Sequence, residues 1–164
     1  MALRVEGHLP FSHRGRTRRT IAYRRILVPV VDREISEQAM AIACRLAAER
    51  RTSVTAVSVI EVPAELPLDA HMTDEEEQLK PVLAEASAIA ELYGVGVEAR
   101  TLRGRAAGEA IVEEAKQARS EIIVLSAPRK MRALRRVAVF GSTVEYVLKH
   151  APCRVMVAAA PVSP

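Results

Sequence analysis

Late in this 164-residue chain a triplet, Gly141-Ser142-Thr143, opens an amphipathic stretch, and five basic side chains lie just upstream: Arg129, Lys130, Arg132, Arg135 and Arg136. Such a grouping can hold phosphate. A helix start presents free backbone N–H groups and the positive end of the helix dipole to an anion. Glycine there permits close backbone approach, and two hydroxyls add donors. The plainer reading stays open, because Gly-Ser-Thr is also an ordinary helix N-terminal cap and arginine-rich loops are often only solvated. A second group, Val30-Val31-Asp32-Arg33, follows the first apolar run. Asp32 is a candidate ligand contact, although it and Glu34 are equally accounted for as solvated loop charges.

Other chemistry is scarce. The chain has no Gly-x-Ser-x-Gly elbow, no Walker lysine motif and no His–carboxylate pair at metal spacing. His8, His13, His71 and His150 share no metal-ligand spacing. Cys44 and Cys153 fit no CxxC pattern, and both are expected as buried thiols. Apolar residues make up 49% of the chain and aromatics 3%, with no Trp. The core must therefore be aliphatic, and base stacking on exposed rings, the usual route to single-stranded nucleic acid, is disfavoured. No apolar run approaches the length of a membrane-spanning helix, and the first 25 residues contain no apolar segment of the secretory type.

The formal charge of +4 is unevenly spread. Residues 1–25 hold seven Arg and one Glu, whereas the remainder carries two more acids than bases. Residues 1–24 read as a basic, unstructured tail, residues 25–160 as one domain and residues 161–164 as a short C-terminal tail. The basic tail is suited to an acidic membrane surface, with nonspecific contact to nucleic-acid phosphates as the alternative. No specific nucleic-acid recognition is expected.

The elements that must position these residues follow from periodicity. Ile26 to Val31 reads as a buried parallel strand, with Pro29 near its end. Asp32 to Ile35 reads as a loop, and Ser36 as the cap of a helix to Arg50 that turns Met40, Ala43, Cys44 and Ala47 inward. Ser53 to Ile60 reads as the second strand. Thr73 and Glu76 form a capping-box pattern for a helix to about Tyr93, with Pro81 inside it and Gly94 and Gly96 ending it. Val97 to Leu102 is the third strand, Gly108 to Ala118 the third helix with Ala110, Ile111 and Ala115 inward, and Glu121 to Ser126 the fourth strand. The basic loop then leads to a helix from Gly141 to His150, Pro152 stops it, and Arg154 to Ala159 is the fifth strand. Alternation of this kind predicts an open five-stranded parallel sheet with helices on both faces. Ligands of such sheets sit beyond the carboxyl ends of the strands, where the strand order reverses.

Tyr23 through Ala159 resembles the universal stress protein domain. The residues that carry the resemblance are Ile26-Leu27-Val28-Pro29-Val30, Ser36-Glu37-Gln38-Ala39, Glu121-Ile122-Ile123-Val124-Leu125 and, most specifically, the run from Gly141 to Val157. In appearance the match is nearest to domains appended to bacterial amino-acid transporters. The resemblance implies a Rossmann-like sheet of the adenine nucleotide alpha hydrolase type, with strand order 3-2-1-4-5, in a cytoplasmic homodimer formed through the last strand, Arg154 to Ala159. Many members of the family bind ATP through Gly-x2-Gly-x9-Gly-Ser/Thr after the fourth strand and an Asp at the end of the first. Here Ser126 stands at the first glycine position, Arg129 at the second, the spacing to Gly141 is two residues longer, and Val31 takes the Asp position with Asp32 one place later.

Those departures have physical weight. Glycine lets backbone amides wrap phosphate, whereas Pro128 has no amide donor and restricts Ala127. Arginine forks at Arg129 and Arg132, with Lys130, are the expected replacement. In the first functional reading, a nucleotide-responsive regulatory module binds an adenine nucleotide such as ATP or AMP. Gly141, Ser142 and Thr143 hold phosphate, with Ser126 and Asp32 beside it, and Pro29, Val30 and Val57 flank the base. In the second, the domain binds no nucleotide and docks a partner such as a membrane transporter, which places it at the membrane. Weak ATP hydrolysis is a third reading, for which no positioned base stands out.

Overall fold

The computed structural model describes residues 22–31, 33–127 and 141–159, with only the backbone of residues 33–36. Nine elements alternate along it: β1 (Ile26–Pro29), α1 (Arg33–Ala48), β2 (Val54–Glu61), α2 (Thr73–Leu92), β3 (Val97–Gly104), α3 (Ala107–Gln117), β4 (Ile122–Ser126), α4 (Ser142–His150) and β5 (Arg154–Ala158). The strands form one sheet in the order β3-β2-β1-β4-β5, and each neighbouring pair is parallel. The strand order expected from the resemblance is the one observed.

Alternating side chains of the buried strands divide the core between the two faces of the sheet. Ile26, Val28, Val54, Ala56, Ile122 and Val124 pack with Ala39, Met40, Ala43, Cys44 and Ala47 of α1 and with Ala86, Ile89 and Ala90 of α2. Leu27, Val57, Ile123 and Leu125 face the other way, onto Ile111, Val112 and Ala115 of α3 and Val144 and Val147 of α4. Central strands covered on both faces have no polar side to present, so they read as continuous aliphatic runs. α3 and α4 approach so closely at Gly108 that a Cβ there would lie 2.8 Å from the Cβ of Tyr146. The buried Glu114 carboxylate ties α3 to Arg100 of β3 at 2.8 Å.

Several element ends differ from expectation, each for a local reason. β1 stops at Pro29 rather than Val31. Val30 N–H still donates to Val57 C=O (2.8 Å), but Ser58 Oγ–H donates to Val30 C=O (2.8 Å) and occupies an acceptor that a further ladder bond would use. α1 begins at Arg33, so residues 33–35 are helical and Ser36 is not its cap. Arg33 and Glu34 are good helix formers, and the helix extends back over them. The Thr73–Glu76 capping box does not form, because Met72 is the cap residue and no side-chain cap bond is present. Met72 is anchored in a small apolar cluster with Ile60 and Val62, which starts the helix one residue earlier. Glu76 meanwhile pairs with Arg103 and donates its N–H to Met72 C=O.

α2 is continuous through Pro81. It ends in a Schellman arrangement: Gly94 sits at φ +64°, its N–H donates to Glu91 C=O, and Val95 N–H donates to Ala90 C=O. Gly96 belongs instead to the approach to β3, where its C=O accepts from Val54 N–H. Cys44 is buried but Cys153 is only half-buried, a correction that follows from its place between α4 and an edge strand with one covered face. Burial pushes both thiols above the ordinary value.

Candidate functional site

The sheet reverses its winding between β1 and β4, and a crevice of about 460 Å³ opens there beyond the strands' carboxyl ends. It lies on the α3–α4 face. Val57, Val59, Ile111 and Leu125 make an aliphatic floor, Pro29, Val30 and Val31 form one wall, and Leu79 reaches in from α2. β2 keeps its pairing with β3 as far as Glu61, while its pairing with β1 ends at Val57. Its last residues therefore project past β1 and border the opening.

Two helices start at the crevice, and their N-termini are in opposite states. At α3 the Glu61 carboxylate accepts the Ala107 N–H at 2.7 Å. The carboxylate covers a free amide and neutralises that end of the dipole. At α4 the cap residue is Gly141, with φ −59° and ψ 162°, and none of the described side chains caps it. Glu145 is the first residue of α4 whose N–H closes back, onto Gly141 C=O at 3.0 Å. The amides of Ser142, Thr143 and Val144 precede that bond, and these residues line the crevice. The electrostatics thus have a direction, with an anion favoured at α4 and opposed at α3.

Ser126, the last residue of β4, adds a second polar feature. Its Oγ is closed to solvent and has no hydrogen-bond partner among the described residues, although the next residue is well held, Ala127 N–H donating to Ala158 C=O at 2.7 Å. A buried hydroxyl left without a partner costs about 1–3 kcal/mol. Such a cost is tolerated where a ligand supplies the missing bond.

The crevice gathers Pro29, Val30, Val57, Ser126, Gly141, Ser142 and Thr143 from the sequence-derived set. Asp32, Arg129, Lys130 and Arg132 lie outside the described residues, as do Arg135 and Arg136. Sequence reasoning missed Glu61, Val59, Leu79, Ala107 and Ile111. Glu61 was open to discovery by the rule that singled out residue 32, since it is an acid at the carboxyl end of a strand. The contributions of Leu79 and Ile111 depend on how helices lie across the sheet, which periodicity does not specify. Among the described residues no three His, Cys, Asp or Glu side chains converge as a metal site.

A sequence model described as the universal stress protein family matches residues 22–159. A universal stress protein of Methanocaldococcus jannaschii is 30% identical over 145 residues, covering 85% of this chain and 84% of that protein. Among solved structures, the universal stress protein from Archaeoglobus fulgidus in complex with dAMP superposes with a TM-score of 0.66 at 21% identity, covering 84% of this chain and 98% of its own. A universal stress protein family protein from Arabidopsis thaliana with AMP bound superposes with a TM-score of 0.57 at 19% identity, covering 84% and 92% respectively.

Proposed function

The chain belongs to the universal stress protein family, and from that premise we propose that it is a regulatory module that binds an adenine nucleotide in the crevice between β1 and β4. Supporting this is the pairing of a helix N-terminus that no described side chain caps with a buried hydroxyl that has no partner among the described residues, both at one end of an aliphatic slot. A nucleotide has matching parts. Its phosphate would sit at Gly141, Ser142 and Thr143 and accept from Ser126 Oγ–H, and its base would lie on Val57 and Val59 beside Pro29 and Val30. Arg129, Lys130 and Arg132 would neutralise the phosphate by side-chain contact, with Asp32 at the rim. Solved relatives in complex with dAMP and AMP support the ligand class.

The module acts by binding rather than by turnover, and as a homodimer. β5 ends the sheet, and its side chains alternate between exposed and half-buried, with Met156 37% exposed. An open edge of this kind is suited to pairing with a second copy. Light scattering should give twice the chain mass. Titration calorimetry with AMP, ADP, ATP, cyclic AMP and cyclic dinucleotides tests the nucleotide reading. Saturable heat with at least one of them is expected, and silence across the panel at millimolar ligand would reject it.

A further inference from the structure

At the opposite end of the sheet the molecule presents a basic face that the nucleotide reading does not use. In a parallel sheet every strand starts on the same side, and the crossover helices end there. Arg24 and Arg25 precede β1, Arg50 and Arg51 precede β2, Arg119 precedes β4, and Arg154 opens β5; all six are exposed. The last turns of α1, α3 and α4 add Arg45, Lys116 and Lys149. Fewer carboxylates oppose them: Glu49, Glu91, Glu98, Glu113 and Glu121, of which Glu113 lies 3.8 Å from Lys116 and Glu121 is held by Arg25 at 2.8 Å. At the carboxyl end the described charges are mixed: Glu61, Glu65, Asp69, Asp74, Glu75 and Glu76 share it with Arg103 and Arg105, and Arg103 pairs with Glu76.

Two of these arginines also share an unusual backbone conformation. Only two non-glycine residues among those described have positive φ, Arg51 at 52° and Arg119 at 50°, and both are on this face. That backbone conformation favours glycine or asparagine and costs other residues roughly 1 kcal/mol. Each closes a Schellman turn at the end of its helix, Arg51 N–H donating to Ala48 C=O and Arg119 N–H to Lys116 C=O, so both guanidinium groups leave the fold at fixed points on this face. Beside Arg51 lies a shallow depression bordered by Thr52, Ser53, Gly94 and Gly96, and next to it Leu92 is 85% exposed.

We propose that this amino-end face docks on an anionic lipid bilayer. The arginines would meet lipid phosphates and carboxylates, and Leu92 would enter the headgroup boundary. The leucine decides between polyanions, because a bilayer offers an apolar side chain somewhere to go and a nucleic-acid backbone does not. The chain also enters the domain at this face, preceded by Arg4, Arg14, Arg16, Arg18 and Arg19 in sequence, which adds charge of the same sign.

The test is co-sedimentation of the full chain with vesicles of phosphatidylcholine alone and of phosphatidylcholine mixed with phosphatidylserine. The wild type should partition only onto the mixed vesicles and lose binding as salt rises. A triple variant, Arg50→Gln with Arg51→Asn and Arg119→Asn, keeps the N-terminal arginines and places asparagine where the backbone favours it, so a thermal melt should match or exceed the wild type. Each basic residue near such a surface contributes about 1 kcal/mol, so its partition coefficient should fall on the order of 100-fold. Leu92→Ser should weaken binding to mixed vesicles without changing the salt dependence. The proposal is overturned by equal sedimentation with neutral vesicles, by wild-type binding in the triple variant, or by binding to a DNA duplex with none to mixed vesicles.

Discussion

Replacing Ser126 with alanine should move stability and ligand affinity in opposite directions. Among the described residues the buried Ser126 hydroxyl has no partner, a state that costs about 1–3 kcal/mol relative to a satisfied or absent group. Alanine removes the hydroxyl and keeps the Cβ, so packing against the ends of β4 and β5 is preserved and the loss is limited to one oxygen's dispersion contacts, a few tenths of a kcal/mol. The free variant should gain about 1 kcal/mol, which for a chain of this size raises Tm by roughly 2–4 °C. In the complex the same hydroxyl would donate to phosphate, and a hydrogen bond to a charged group contributes about 1.5–3 kcal/mol. Losing it should weaken nucleotide binding by roughly 10- to 100-fold. Urea melts without nucleotide give the first quantity, and calorimetric titration with AMP gives the second. A variant less stable than the wild type, with unchanged affinity, would show that the hydroxyl serves the fold rather than the ligand and would refute the reasoning.

Glu61→Gln should keep the α3 cap, because Ala107 N–H can hold the amide oxygen in place of the carboxylate. It removes the negative charge from the crevice, so affinity for ATP should rise several-fold relative to AMP in the same titration. Gly108→Ala forces a methyl group to within 2.8 Å of Tyr146 Cβ; overpacking of about 1–3 kcal/mol outweighs the gain in helix propensity of up to about 1 kcal/mol, and urea melts should show net destabilisation. Glu121 is held below the ordinary carboxylate value, first by the Arg24 backbone N–H and then by the charge of Arg25. A carboxylate with depressed folded pKa contributes stability that is present above its unfolded value and is lost as pH falls through the folded value. Glu121→Gln should therefore lower stability at neutral pH and flatten the acid limb of the stability curve, read from urea melts at successive pH values.

The fold was legible because both of its determinants are local. Runs such as Ile26-Leu27-Val28 and Ile122-Ile123-Val124-Leu125 announce strands covered on both faces, and the 3.6-residue spacing of Met40, Ala43, Cys44 and Ala47 announces the helix that covers them. The strand order came from the family resemblance, since spacing alone does not choose it. Boundaries were less legible because caps compete. Ser36 and Thr73 carry the right side chains for capping, yet one was overridden by good helix formers upstream and the other by the burial of Met72. At the site, Gly141, Ser142 and Thr143 were readable from composition and position, whereas Glu61 at Ala107 was not, because that bond spans 46 residues. The amino-end arginines escaped notice for the same reason. In sequence they are scattered from Arg24 to Arg154, and only the parallel sheet brings them to one surface.

A parallel sheet also places the crevice and the basic face at opposite ends of the same helices. α3 and α4 both start at the crevice and both finish at the basic face, with Ala107 and Ser142 at one end and Lys116 and Lys149 at the other. The two helices pack closely at Gly108 and Tyr146, and the Tyr146 ring is itself stacked on His150 at 4.1 Å. α4 spans about 13 Å at 1.5 Å per residue. The crevice and the basic face are thus the two ends of one pair of helices, with Lys116 and Lys149 at the ends farthest from the crevice.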